Sequence, residues 1–129
     1  MADRIDVHMV AGDASAAAAW YVETLGAEER NRIAVPDGRL MQVALEFGDS
    51  KVMLCDEFPE MDVLAPTTIG GTAVVLHLHC ADVDATWQRA LAAGATVRTE
   101  LADQEWGIRY GQIVDPFGHR WGLAQRAES

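Results

Sequence analysis

The chain has 129 residues, of which 50% are hydrophobic and 23% are charged, and its formal net charge is −10 at pH 7. This length fits one compact domain, and the apolar half of the composition excludes a disordered chain. The excess of acidic side chains disfavours a protein that binds nucleic acid or an anionic membrane through its charge. Neither a transmembrane run nor a signal peptide is predicted, so we expect a cytoplasmic protein.

The first half of the chain predicts a strand, a helix and three further strands. Residues 4–11 alternate in polarity as a strand does. Asp13 suits the N-cap of a helix that runs to Leu25, and Gly26 suits the position that closes it. The three further strands are predicted over about 28–35, 40–47 and 51–55, with turns at Asp37-Gly38 and Gly48-Asp49.

The second half predicts the same order of elements. A strand is expected over 72–80, and Asp82 suits the N-cap of a helix that runs to Ala93. Residues 56–71 contain two prolines and two glycines and predict a connector between the halves. The last three strands are expected near 96–100, 108–114 and 119–125.

A weak internal repeat supports this division into two modules. Residues 7–13 resemble 76–82, and residues 48–54 fall on 117–123, both at an offset of 69 positions. We therefore predict an α+β fold of two βαβββ modules. Because each module is too small to bury much core alone, the two should form a curved mixed sheet around a cleft, with the helices on the outer face. The modules span about 3–55 and 72–126.

Several motifs resemble the vicinal oxygen chelate superfamily, which includes glyoxalase I, extradiol dioxygenases, fosfomycin-resistance enzymes and bleomycin-binding proteins. Asp115-Pro116-Phe117-Gly118-His119 before the last strand resembles a motif of this group. The resemblance covers nearly the whole chain and implies one domain, 1–129, a small organic molecule as partner, and a homodimer. Further motifs are similar to the PhnB-like branch: residues 36–39, 56–61, 76–78, 82–85 and 103–111.

The resemblance also marks four positions that hold a divalent ion in the metal-dependent members. In this chain they are Asp6, Met53, Val75 and Gly122. Each pair from equivalent strands, Asp6 with Val75 and Met53 with Gly122, keeps the offset of 69. Three of the four carry no donor suited to a hard divalent ion. We therefore expect no metal cofactor and negligible glyoxalase activity.

Histidines near these positions leave a different site open. If Asp6 and Val75 point into the cleft, strand alternation brings His8, His77 and His79 there as well. Three imidazoles and one carboxylate would then form a divalent-metal site two residues deeper. Alternatively, these histidines bind a ligand or neighbouring polar side chains, or His8 or His77 acts as a general base.

Two further groups of side chains are expected to line the cleft. Gln42 and Glu46 share one face of the third predicted strand, and the apolar residues of opposite parity, Met41 included, belong to the packed face. The entry to the seventh strand offers a carboxylate, an indole, a guanidinium and a phenol. They are Glu105, Trp106, Arg109 and Tyr110. The rings suit a planar ligand and the guanidinium suits an anionic group, unless it pairs with a local acid.

These features predict a metal-independent small-molecule binding protein of the glyoxalase/bleomycin-resistance type, which sequesters an antibiotic or a metabolite. The alternative is an enzyme of the same fold, an isomerase, epimerase or lyase acting on a carbonyl compound. It would use His8, His77 and His79 as a base or as the shifted metal site. A purely structural or interaction module is the third interpretation, favoured only by the lack of a firm site.

Overall fold

The computed structural model describes residues 2–126, and the chain divides between Gly70 and Gly71 into two units. The first unit contains β1 (Val7–Ala11), α1 (Ala14–Leu25), β2 (Glu28–Ala34), β3 (Leu40–Phe47), β4 (Ser50–Asp56), a 3-10 turn (Pro59–Met61) and the short helix α2 (Pro66–Ile69). The second unit contains β5 (Val75–His79), α3 (Val83–Ala92), β6 (Thr96–Asp103), β7 (Ile108–Val114) and β8 (Arg120–Arg126).

Each unit is a four-stranded mixed sheet with a helix packed on one face. The strand orders are β1-β4-β3-β2 and β5-β8-β7-β6. In each sheet the first strand runs parallel to the last, and the other neighbours are antiparallel. α1 packs against β3 and β4, and α3 packs against β8 and β6. The predicted α+β class and its two βαβββ modules are confirmed.

The strand registers reproduce the internal repeat. His8 lies opposite Met53 where β1 meets β4, and His77 lies opposite Gly122 where β5 meets β8. Each pair is related to the other by the same 69 positions. The repeat is therefore a repeat of hydrogen-bonded partners as well as of residue types.

Equivalent side chains also begin the two long helices. The carboxylates of Asp13 and Asp82 accept hydrogen bonds from backbone amides three residues further on, as N-caps do. A second acceptor comes from the last strand of each unit. Asp56 binds the first amide of α1 at 2.7 Å, and Gln125 binds the first amide of α3 at 2.8 Å. Because these amides have no partner within the helix, the bonds tie each helix to its sheet.

The apolar core of each unit lies between the sheet and its long helix. Val43, Leu54 and Tyr21 are fully buried in the first unit, as are Ile113 and Leu123 in the second. The strand residues of opposite parity form the other face of each sheet, which carries His8 in the first unit and His77 in the second. Within residues 2–126, no helix has the length and apolar character needed to span a membrane.

The first strand of each unit begins later than the sequence predicts. β1 begins at Val7 and β5 at Val75, three positions after each expected start. The first parallel pairs are Val7 with Val52 and Val75 with Arg120, and Arg120 is also the first residue of β8, so β5 has no partner before Val75. Val74 consequently lies outside the strand and is 64% exposed.

Two other expectations need correction. Met41, assigned to the packed face of β3, is 49% exposed, because the pairing of β2 with β3 skips it: Ile33 pairs with Gln42 and Ala34 with Leu40, as at a β-bulge. β6 continues to Asp103, past the expected end at residue 100. Register shifts between Val97 and Ala102 let it bend and keep pairing with β7.

Candidate functional site

The four positions marked by the family resemblance do not supply a ligand set for a hard divalent ion. Asp6 precedes β1, and its carboxylate pairs with Arg4 at 3.0 Å. Met53 offers only a thioether, and the other two positions, Val75 and Gly122, offer no side-chain donor. Within residues 2–126, no group of three or more His, Cys, Asp or Glu side chains is arranged to hold a metal. The donors at these four positions therefore do not fit a resident metal of this kind.

The second unit instead gathers aromatic and imidazole rings on the sheet face opposite α3. His77 and His79 alternate on β5, and their rings stack with centroids 4.8 Å apart. Tyr110, on β7, brings its ring to 5.3 Å from that of His77 and to 6.2 Å from that of Trp106. We call these four residues, together with Gln112, the open-face cluster.

The cluster forms because the strand between β5 and β7 carries small residues at the contact. That strand is β8, which presents Gly122 between His77 and Gln112, and Ala124 between His79 and Tyr110. Side chains two strands apart normally stay separate, since neighbouring strands lie about 4.8 Å apart. Here nothing larger than a methyl group stands between them, so the rings lean across β8 and meet.

Tyr110 is the most firmly positioned member of the cluster. Its ring lies over Gly122, where an added Cβ would be 2.7 Å from the phenol oxygen and 2.9 Å from a ring carbon. The Gln112 amide nitrogen donates a hydrogen bond of 2.7 Å to the phenol oxygen. Both residues are half-buried, whereas Trp106 at the edge is 62% exposed. The phenol is thus fixed in place while its surroundings stay open.

The pKa of His77 lies below its ordinary value of 6.5, because partial burial disfavours the cation and because His79 stands beside it. A neutral imidazole at pH 7 offers one donor and one acceptor nitrogen. The native state binds this proton more weakly than the unfolded chain does. The group's contribution to stability is therefore fully present above pH 6.5 and is lost as the pH falls through the lowered native pKa.

Replacing His79 by glutamine is expected to raise the pKa of His77 towards its ordinary value, because the neighbouring positive charge is removed while burial remains. The midpoint can be followed by the pH dependence of the imidazole carbon-bound proton resonances in NMR spectra. His119→Gln, at the turn before β8, is the control and should leave the His77 midpoint in place. An unchanged midpoint in the His79 variant would show that burial alone lowers this pKa.

Arg109 lies on the opposite face of β7 and does not join the open-face cluster. Its guanidinium contacts both carboxylate oxygens of Asp84 on α3, at 2.9 Å for the shortest pair, and reaches Asp103 at 3.3 Å. These carboxylates raise the pKa of Arg109 further above its usual range. Of the two sequence interpretations, the structure therefore places Arg109 with local acids, along a groove of about 400 Å³ that also includes Gln125. Glu105 is exposed in the turn before β7.

The remaining predicted site residues lie on the first sheet, on the face opposite α1. His8 is exposed on β1, and Gln42 and Glu46 are half-buried on β3. Arg30 on β2 donates a hydrogen bond of 3.0 Å to the Glu46 carboxylate. The structure thus puts these three side chains on one face, with Glu46 held by a neighbouring strand.

The sequence interpretation missed two residues that shape the open-face cluster. Gln112 was not singled out, although it lies two positions from Tyr110 on the same strand, and alternation along the strand could have found it. Gly122 was considered only as an empty ligand position. Its second role, as the surface on which the Tyr110 ring rests, needs the β7–β8 register and has no signal in the local sequence.

Comparisons with known proteins agree with this architecture. The family model described as the Glyoxalase/Bleomycin resistance protein/Dioxygenase superfamily matches residues 4–123. An uncharacterised protein of Mycobacterium bovis is 50% identical over 121 residues, which cover 92% of this chain and 80% of that protein.

Two solved structures show the same fold at low sequence identity. Protein PA1353 from Pseudomonas aeruginosa is 17% identical with a TM-score of 0.81, over 98% of this chain and 100% of that one. A PhnB protein from Bacillus cereus, described as a putative 3-demethylubiquinone-9 3-methyltransferase, is 12% identical with a TM-score of 0.69, over 95% and 99% of the two chains. The chain therefore belongs to the Glyoxalase/Bleomycin resistance protein/Dioxygenase superfamily.

Proposed function

We propose that this protein binds a small planar organic molecule at the open-face cluster, without a metal ion. The observation that carries this proposal is the meeting of the His77, His79 and Tyr110 rings over the small residues of β8. Flat rings with a few polar atoms among them are typical of sites for aromatic ligands. The exposed Trp106 ring stands at the edge of this surface, where it can cover part of a bound molecule.

The charge of the protein favours a neutral or cationic ligand. The chain carries a formal net charge of −10, and a long-range field of that sign repels anions. Arg109, for which the sequence left either an anionic ligand group or a local acid as partner, is paired with Asp84 and Asp103 on the other face. Binding without conversion corresponds to sequestration of an antibiotic or a metabolite. The homodimer and the cytoplasmic location stay predictions.

An enzyme on a carbonyl compound is the second candidate, and the placement of His77 beside Tyr110 favours it. The lowered pKa keeps the His77 imidazole neutral at pH 7, so one ring nitrogen is available to accept a proton from a carbon next to a carbonyl, although the same shift makes it a weaker base. The Tyr110 ring lies 5.3 Å from the His77 ring, so the phenol would lie next to a substrate bound at His77. Detection of a product formed from the bound compound would distinguish an enzyme from a protein that only sequesters its ligand.

Ligand-observed NMR against neutral naphthalene, quinoline and indole fragments tests both candidates. We expect fragments to bind the wild-type protein in the presence of EDTA, and Tyr110→Ala to weaken that binding at least about tenfold, because it removes the central ring. Gln88→Ala, exposed on α3, is the matched control and should bind as the wild type does. New product resonances that disappear in His77→Gln would favour the enzyme.

Three results would contradict the binding proposal. The first is that no fragment of the panel binds the wild-type protein. The second is that EDTA abolishes binding, which would show that the site requires a metal ion. The third is equal binding by the wild type and Tyr110→Ala, which would place the ligand elsewhere.

A further inference from the structure

We propose that the Tyr110 hydroxyl is the specific donor for a neutral carbonyl oxygen of the ligand. This inference rests on the proposed function and names the chemical class that the open-face cluster selects: a planar molecule whose carbonyl group is conjugated with its ring. It assigns a specificity role to Tyr110 and a positioning role to Gln112.

The direction of one hydrogen bond leaves the phenol proton available. A phenol has one donor hydrogen and an oxygen that accepts. Gln112 donates its amide hydrogen to that oxygen at 2.7 Å, and within residues 2–126 this is the hydrogen bond that the structure gives the hydroxyl. The acceptor side of the phenol is therefore in use, and its own hydrogen is free to point at a ligand. A bond received at the oxygen also polarises the O–H group and makes it a stronger donor.

Packing keeps this donor in one place. The Tyr110 ring rests on the Gly122 backbone, where an added Cβ would stand 2.7 Å from the phenol oxygen, and the His77 ring flanks it at 5.3 Å. A side chain held in this way loses little further rotamer freedom when it binds a ligand. The half-buried position also removes some of the water that would compete for the hydroxyl hydrogen.

The number and charge of the donors favour a carbonyl oxygen over a carboxylate. The phenol offers a single uncharged hydrogen, whereas carboxylate sites normally use a guanidinium or several amides. Arg109 faces away from the cluster and binds Asp84 and Asp103. The imidazole rings of His77 and His79 are stacked and tilted by only 9° from each other, so a flat ligand ring can pack against this pair. A carbonyl coplanar with such a ring can reach the phenol while the ring packs against the pair.

Two neutral probes of the same shape test this inference. 2-Acetylnaphthalene carries the conjugated carbonyl, and 2-ethylnaphthalene lacks it. We expect the wild-type protein to bind the ketone about five- to tenfold more tightly than the hydrocarbon, the range expected for one hydrogen bond in a partly shielded site. Tyr110→Phe keeps the ring and should reduce this ratio to about one, with hydrocarbon affinity unchanged.

Infrared spectroscopy gives a second readout that ring packing alone would not move. With ¹³C in the carbonyl, the stretch of bound 2-acetylnaphthalene should lie at lower frequency in the wild type than in Tyr110→Phe. Gln112→Leu should give an intermediate ratio, because the phenol loses its fixed orientation. Gln88→Ala is again the control and should keep the wild-type ratio.

The outcomes separate this inference from the proposed function. Equal binding of ketone and hydrocarbon by the wild type, or a ratio that survives in Tyr110→Phe, would overturn the carbonyl assignment and leave the planar site standing. Equal loss of both probes in Tyr110→Phe would show that the hydroxyl serves packing only and would also overturn the assignment. If the wild type binds neither probe, both the carbonyl assignment and the proposed binding of planar molecules at the open-face cluster are wrong.

Discussion

Replacing Asp115 by alanine is expected to lower the free energy of unfolding by about 3 kcal/mol. Asp115 is only 3% exposed and closes the turn between β7 and β8. One carboxylate oxygen accepts from the amides of Phe117 and His119 at 2.8 and 3.0 Å, and the other accepts from the Trp121 indole N–H at 2.8 Å. The variant leaves these donors without that acceptor, and the indole is itself buried, so water cannot replace the lost bond.

Urea unfolding followed by far-UV circular dichroism measures this effect. The free energy of unfolding of Asp115→Asn should lie between those of Asp115→Ala and the wild type. Its amide oxygen keeps one acceptor, whereas its NH₂ group faces a donor. Asp49→Ala is the matched control, an exposed aspartate in the β3–β4 turn of the first unit, and should change stability by less than about 0.5 kcal/mol. A loss of similar size in both variants would show that the buried hydrogen bonds of Asp115 are not the cause.

Gly111→Ala is expected to destabilise the protein by about 2 to 3 kcal/mol through overpacking. A Cβ at position 111 would stand 2.7 Å from Trp87 on α3 and 2.8 Å from the Cα of Leu101 on β6. Trp87 is 4% exposed and packed on all sides, and the second contact is with backbone. Neither neighbour is able to move aside cheaply, so the strain must spread into α3 or β6.

Two further glycines make the test specific. Gly12→Ala has no atom within 4 Å of the new Cβ and should leave the unfolding midpoint nearly unchanged. In Gly122→Ala the three atoms nearest the new Cβ all belong to the Tyr110 side chain, which must leave its position and lose the hydrogen bond from Gln112, so we expect a loss of about 1 kcal/mol together with weaker ligand binding. Equal stability losses in Gly111→Ala and Gly12→Ala would contradict the packing argument.

Features determined by nearby residues could be predicted from the sequence. The N-caps Asp13 and Asp82 and the closing Gly26 depend on a few neighbouring residues, and each is found where expected. The offset of 69 positions predicted the equivalence of His8 and His77, because both modules place the same number of residues between paired strands. Strand alternation correctly put His77 and His79 on one face.

Features that depend on distant partners could not be predicted. Arg109 meets Asp84 from a helix 25 positions earlier in the chain, and no local pattern marks that pair. The start of β5 depends on where β8 begins, at Arg120, which leaves Val74 outside the strand. The contact of Tyr110 with His77 crosses a whole strand, so it needs both the sheet order and the small size of Gly122.

Gly111 on β7 and Gly122 on β8 let large side chains pack directly against the backbone on both faces of the second sheet. Trp87 lies against Gly111 on one side, and Tyr110 lies over Gly122 on the other, so about one layer of backbone separates the hydrophobic core from the open face. A molecule bound on Tyr110 therefore presses on the same strands that support α3. The same backbone supports both the hydrophobic core and the ligand surface. A mutation that loosens the core on one side of the sheet is therefore expected to disorder the ligand surface on the other side.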